Sequence, residues 1–291
     1  MIRDSIPTLA EFLQAPLATI QEVAPATMIF SSGGSRRKAA LAHMPANGED
    51  YARWSHGQLL TCLELFFRHG IKHLFLPMLL PNQFQETTPN YREHIERWVA
   101  WGAASPEMLA YYGKHNWRVR LLDTQPSPII AEAAQGLHQA SDHREQPTLW
   151  WFIVRETDDP WQAIFQAAHQ TAFKTRKQAI EAIYGEVIPP AELLVSFGKP
   201  QVNHDLLPPL LVGDLQCYWT QKPGYDLSEA EFRQILYDFA YTRQTWQSDK
   251  TERTKAALEF RQHWERGPIL GLGQQLGPFW YPQSTSIELE L

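Results

Sequence analysis

The chain has 291 residues, 44% of them hydrophobic and 20% charged, with a formal net charge of -6. That is ample apolar material for one large domain or two small ones, and so mild an acidity leaves no broad basic field of the kind general nucleic-acid binding requires. No run of about 18 apolar residues occurs, so no membrane span is expected, and the opening MIRDSIPTLAEFLQAP lacks the apolar core of a secretory signal. The expectation is a cytoplasmic protein. Cys62 and Cys217 form no close pair and read as buried thiols, without a disulfide framework or a zinc site. Eleven Trp, ten Tyr and fourteen Phe suit either core packing or an aromatic-lined pocket for an apolar or cationic ligand.

Ala26 to Phe30 (ATMIF) reads as a first strand, ending in the glycine turn SSGGSRR. Tyr51 to His69 carries Leu59, Cys62, Leu63, Phe66 and Phe67 at helical spacing, with Gly70 as a stop. His73 to Leu80 (HLFLPMLL) is apolar enough for a buried strand, which Pro77 is expected to end or kink. Helix is then expected over Arg92 to Tyr112, strand over Trp117 to Leu122, helix over Ile129 to His138 and strand over Thr148 to Val154. Trp161 to Tyr184 reads as helix in one or two pieces, and Leu193 to Phe197 and Leu215 to Thr220 as short strands. Ser228 with Glu231 is a capping-box pattern opening a helix to Thr242, and the glycine- and aromatic-rich tail from Gly271 to Pro282 reads as an irregular strand or arm. Strand and helix alternate about five times and several strands are apolar throughout. This predicts an α/β fold, a mostly parallel sheet covered on both faces, with ligands beyond the carboxyl ends of its strands. One domain over 1–291 is the simpler reading.

Gly33, Gly34, Ser35, Arg36 and Arg37 follow the first strand. Two glycines allow a tight turn that aims N–H groups at a ligand, Ser35 offers a hydroxyl, and two guanidinium forks suit phosphate oxygens. The same residues would also serve as a solvated turn. There is no phosphate-binding P-loop, dinucleotide fingerprint, HExxH or GxSxG. Asp158 and Asp159 before Pro160 could suggest a magnesium pair, but suit a helix cap better.

The segment SGGSRRKA resembles the diphosphate-holding loop of the cis-prenyltransferases, and HGIKHLFLP, AELLVSFGK and LQCYWT resemble the family's later strand regions. Ser35-Arg36-Arg37, Tyr51 after Glu49-Asp50, the Tyr91 region, Ile183-Tyr184-Gly185-Glu186, ILYDFAYTR and GLGQQLGPFWY are similar to landmarks of a divergent branch of that family. The resemblance runs over most of the chain and implies a parallel six-stranded sheet ringed by helices in a homodimer, with residues 1–25 and 265–291 packed on it as extensions. It implies a diterpene synthase: the branch takes a bicyclic C20 allylic diphosphate, releases diphosphate, and lets water capture the cation as a tertiary alcohol. Transfer to a nucleoside such as adenosine, or a non-catalytic binding subunit, are its alternatives. Carried over by position, Arg36 and Arg37 contact diphosphate with Gly34, Ser35 and Lys199, while Tyr51 and Tyr91 are active-site tyrosines. Magnesium is the implied cofactor, but the family's loop aspartate is replaced by Gly33. That replacement counts against chain elongation and leaves the metal ligands unassigned, with Asp238 and Glu186 as the carboxylates considered in its place.

Overall fold

In the computed structural model the described residues are 6–87, 91–140, 145–246 and 248–283. The N-terminal helices α1 (Leu9–Gln14) and α2 (Leu17–Val23) lead into β1 (Thr27–Ser31), every residue of which is buried. After the glycine turn come α3 (Ser35–Leu41) and the long α4 (Gly48–Arg68). The apolar stripe of α4, Leu59, Leu63 and Phe66 among it, is buried against the sheet, as the 3.6-residue period requires. Next come β2 (His73–Leu79), α5 (Pro81–Phe84), α6 (Tyr91–Ala104), α7 (Pro106–His115), β3 (Arg118–Leu122), α8 (Pro128–Ala140) and β4 (Thr148–Ile153). The second half contributes α9 (Asp159–Gln170), α10 (Arg176–Tyr184), β5 (Ala191–Phe197), β6 (Val212–Thr220) and α11 (Glu229–Tyr237), which runs into a π-helical turn over Asp238–Thr242.

The six strands form one sheet in the order β3-β4-β2-β1-β5-β6, every neighbouring pair parallel. This is the expected α/β architecture. Successive side chains alternate across it. Met28 and Phe30 enter a large core with α4, α6, α8 and α11, and Ile29 enters a smaller one with Phe75, Trp150 and Tyr184. At the N-terminal end Phe12 packs on Tyr237 and Tyr241 at 5.6 and 5.7 Å, and Arg233 donates to the carbonyls of Leu13 and Ala15.

The structure departs from the sequence expectations in a few places. Pro77 does not end β2, which runs on to Leu79, but the register with β4 shifts between Pro77 and Leu79, the irregularity that was the other expectation for this proline. Pairing with β1 stops at Phe75, so at Pro77 the strand is paired on one side only, where a missing N–H is tolerated. The helix expected over Arg92 to Tyr112 is two, broken where Ser105 caps α7 and Pro106 opens it. The Ser228–Glu231 capping box is present. Asp158 makes no cap; Asp159 instead accepts from the Arg155 and Glu156 N–H groups. Of the two thiols, Cys62 is buried and Cys217 half-buried. The glycine- and aromatic-rich tail is an antiparallel hairpin, β7 (Gly273–Leu276) and β8 (Phe279–Pro282), preceded by α12 (Thr251–Glu259) and α13 (Arg261–Glu265), helices the periodicity did not announce.

Candidate active site

At the carboxyl ends of β1, β2 and β5 lies a cavity of about 590 Å³. Its floor is the turn from Ser31 to Arg37. Gly34 sits at φ 74°, a left-handed conformation that glycine adopts without Cβ strain, and it starts α3 so that Arg36 and Arg37 leave the first helical turn. Gly33 is glycine for a different reason: a Cβ there would lie 2.2 Å from the carbonyl oxygen of Phe197 at the end of β5. The strand end and the turn are in backbone contact, and no side chain fits between them.

Arg36 donates from both terminal nitrogens to Glu86, at 2.7 and 2.9 Å, and its guanidinium lies 4.6 Å from the centre of the Tyr91 ring. Glu86, first of all, and the tyrosine environment hold the Arg36 pKa up against partial desolvation. Arg37 folds back over Gly34 and faces the ring of Phe279 in the C-terminal hairpin at 5.4 Å. The Tyr51 hydroxyl, carried by α4, meets Ser35 Oγ at 2.6 Å. Tyr91 is buried at the start of α6 and accepts from Gln83 Nε2 at 3.3 Å; burial raises its pKa. The cavity therefore brings together Gly34, Ser35, Arg36, Arg37, Tyr51 and Tyr91. Lys199 is not with them: the wall reaches Phe197 and Gly198, and Lys199 beyond is exposed.

The inner wall is apolar and aromatic. α6 offers Ile95, Trp98, Val99 and Trp101, α4 offers Leu59, and β2 ends in Met78 and Leu79. His56, also on this wall, is held neutral by burial, its pKa lowered to about 4, with Nε2 3.1 Å from Met108 Sδ. Tyr225, in the turn after β6, has a backbone φ of 62°, unusual for a bulky residue. Burial pushes the pKa of its hydroxyl up to about 12. A second chamber of about 550 Å³ adjoins the first behind Ala52, Tyr91, Trp98 and Trp101, with Arg53, His94 and Arg97 on its far side.

The sequence reading did not single out Glu86, Tyr225, His56, Trp98 or Trp101. The aromatic pair carried a signal, since Tyr91, Ile95, Trp98 and Val99 recur at helical spacing. Tyr225 comes after a strand end, where ligand-facing residues concentrate. Glu86, in QFQET, carries no pattern.

The donors present do not fit a magnesium ion held by the protein. Such sites commonly use one or two carboxylates beside substrate phosphates. Among the described residues of the wall Glu86 is the single carboxylate, and its charge is balanced by Arg36, which binds both its oxygens. Position 33 has no room for an acid. Glu186 pairs with Arg118 at the opposite end of the sheet, and Asp238 is bound by Tyr218 and Arg243 away from the wall. No group of three or more metal-ligating side chains occurs among the described residues.

Comparison with known proteins agrees with this geometry. No family profile matches the chain. It is 83% identical to (+)-kolavelool synthase of Herpetosiphon aurantiacus over 98% of this chain and 99% of that one. It is 25% identical to tuberculosinyl adenosine transferase of Mycobacterium tuberculosis over 80% and 82%. In structure it resembles lavandulyl diphosphate synthase from Lavandula x intermedia, solved with dimethylallyl diphosphate, at a TM-score of 0.59 and 13% identity over 76% of this chain and 97% of that one. A probable undecaprenyl diphosphate synthase from Campylobacter jejuni gives 0.56 and 12% over the same shares. Identity of 83% with one synthase over nearly the whole chain, and the fold of the two solved structures, lead to one assignment: the chain belongs to the kolavelool synthase family, terpene synthases built on the cis-prenyltransferase fold.

Proposed function

We propose that this chain ionises kolavenyl diphosphate, a bicyclic C20 allylic diphosphate, and adds water to give the tertiary alcohol kolavelool and free diphosphate. The observation that carries the reading is the polarity of the cavity along its length. Two guanidinium groups and a glycine turn stand at one end, and an aromatic and aliphatic wall at the other. That is the shape of a ligand with an anionic head and a hydrocarbon body.

Arg36, Arg37 and the N–H groups around Gly34 and Ser35 receive the head, and stabilise the charge that grows as the carbon–oxygen bond breaks and diphosphate departs with the electron pair. The allylic cation left behind lies against Tyr91 and Tyr51, whose ring faces each stabilise a nearby cation by about 0.5–2 kcal/mol without attacking it. The Ser35–Tyr51 hydrogen bond fixes one ring relative to the head-binding turn. Trp98, Trp101 and Leu59 shape the space for the ring system. Water then bonds to the tertiary carbon of the cation and loses a proton. Lys199 is exposed and stays outside this reading. Magnesium, expected from the resemblance, finds no fitting donor set among the described wall residues, and no step of this reading is routed through it. The reading takes the enzyme as a cytoplasmic homodimer, and no helix among the described residues is long and apolar enough to cross a membrane.

The second chamber supports one other reading, transfer of the C20 unit to a nucleoside in place of water. The aromatic faces of Trp98 and Trp101 and the donors of Arg53 and Arg97 would suit such an acceptor. Gas chromatography–mass spectrometry of products from purified protein and kolavenyl diphosphate, with and without adenosine and a chelator, tests both. The tertiary alcohol is the expected product; a nucleoside adduct would replace the first reading with the second, and no product above background would overturn both.

A further inference from the structure

The proposed reaction ends with a proton to be removed, and the choice of its acceptor rests on that reaction being the right one. When water bonds to the cation, its oxygen becomes a positively charged oxonium. A neighbouring group must hold the water beforehand and accept its proton afterwards, or the cation sheds a proton of its own and leaves as a hydrocarbon. Three kinds of acceptor line the cavity. The tyrosines and serines are neutral hydroxyls: Tyr51 and Ser35 are engaged with one another, and burial makes Tyr225 a phenol that keeps its proton. His56 lies on α4 five residues beyond Tyr51, roughly 7 Å further along the helix axis from the head-binding turn, with Nε2 directed at Met108. The third is Glu86, the single carboxylate on the wall among the described residues.

Glu86 stands on the wall at the head-binding end of the cavity, paired with Arg36. Arg36 holds it through the Nη1 and Nη2 ends of the fork. A guanidinium has five N–H donors in one plane, so the edge that includes Nε is left to the departing diphosphate while the far edge keeps Glu86. The carboxylate is thereby held one guanidinium away from the leaving group. It is close to the Tyr91 ring, over which Arg36 itself lies at 4.6 Å. Its side chain is 23% exposed and that of Arg36 38%, so water reaches the pair. Pairing with arginine makes a carboxylate a weaker base, but an oxonium is so strong an acid that a weak base suffices. Position, not basicity, is the requirement.

We propose that Glu86 orients the capturing water through a hydrogen bond and takes its proton once the new carbon–oxygen bond has formed. In balance, the allylic carbon–oxygen bond breaks with both electrons leaving on diphosphate. Water supplies the pair for the new bond, and one proton passes from the oxonium to the Glu86 carboxylate and then to solvent. Glu86 is a catalytic residue in this account because it touches the reacting water, and Arg36 positions it.

The test is Glu86→Gln, which keeps the shape and a hydrogen bond to Arg36 but has no carboxylate. Two quantities are measured with kolavenyl diphosphate: diphosphate released, and the partition of C20 products between alcohol and hydrocarbon. Glu86→Asp is the companion variant, and circular dichroism checks that each is folded. The expected result for Glu86→Gln is a fall of at least about 10-fold in the alcohol-to-hydrocarbon ratio, with diphosphate release reduced much less, and partial recovery of the ratio in Glu86→Asp. An unchanged ratio in folded Glu86→Gln overturns the proposal. So does a loss of diphosphate release with the ratio intact, which would place Glu86 in ionisation. If the unaltered protein itself releases no diphosphate, the failure belongs to the assigned reaction.

Discussion

Two arginine–glutamate pairs stand at opposite ends of the same sheet, and they are built for different purposes. Arg118, at the start of β3, is 2% exposed. It binds Glu186 at close range and donates through Nε to Thr148 Oγ1 at 2.9 Å, and its guanidinium lies over Trp150 at 5.7 Å. Arg36, beyond the end of β1, holds Glu86 in a bidentate pair that is open to water. Each end also has a neutral histidine: His73 beside Arg118, its pKa lowered to about 4 by burial and by that cation, and His56 in the cavity. The closed pair is locked by its surroundings. The open pair has donors to spare, so a ligand can join it. A parallel sheet imposes this asymmetry, because its loops at the carboxyl ends are the ones free to vary.

The comparison can be broken most decisively at the open end. Arg36→Ala and Arg37→Ala are each expected to lower kcat/KM for the C20 diphosphate by about 100- to 1,000-fold, the usual cost of losing one donor to developing charge. Full turnover in both would remove arginine-assisted ionisation from the reading. The matched pair of stability measurements comes next. Glu186→Ala leaves Arg118 buried and unpaired, and should cost about 3–5 kcal/mol, a fall in Tm on the order of 10 °C. Glu86→Ala breaks a half-buried pair that water reaches and should cost only about 1 kcal/mol. Equal losses in thermal melts would show that the two ends are not different in kind. The smallest effect is on pH. A histidine whose folded pKa is depressed gives stability that is fully present above its unfolded value of about 6.5. That stability is lost as pH falls towards about 4, because the unfolded chain takes up the proton first. For buried His56 this reaches roughly 3 kcal/mol across the window. Urea midpoints should therefore fall between about pH 7 and pH 5, and His56→Gln should flatten that slope.

Much of the fold was legible because each local rule agreed with the whole. Unbroken apolar runs such as Leu149 to Val154 can only be strands covered on both faces, and the amphipathic stripe of α4 needs a sheet beneath it. Pro77 was half legible: the register shifts beside it, but that the strand survives it depends on where β1 stops pairing, a fact of the sheet and not of the segment. In the site, Gly34, Ser35, Arg36 and Arg37 announced themselves by clustering after a strand. Lys199 belonged to the same reading but is carried off the wall by the turn after β5. Glu86 could not be read at all: it is one glutamate among 32 acidic residues, and its meaning comes from a fork 50 positions away. Nor did the reading see why residue 33 is glycine, since the reason is a carbonyl oxygen on another strand.

That last contact couples two positions far apart in the sequence. An aspartate at position 33 could not be accepted by this turn as it stands. The Phe197 carbonyl occupies the place of the first carbon of its side chain, so the end of β5 would have to withdraw in the same move. The two positions are therefore coupled: a side chain at 33 can be admitted only together with a displacement of the end of β5.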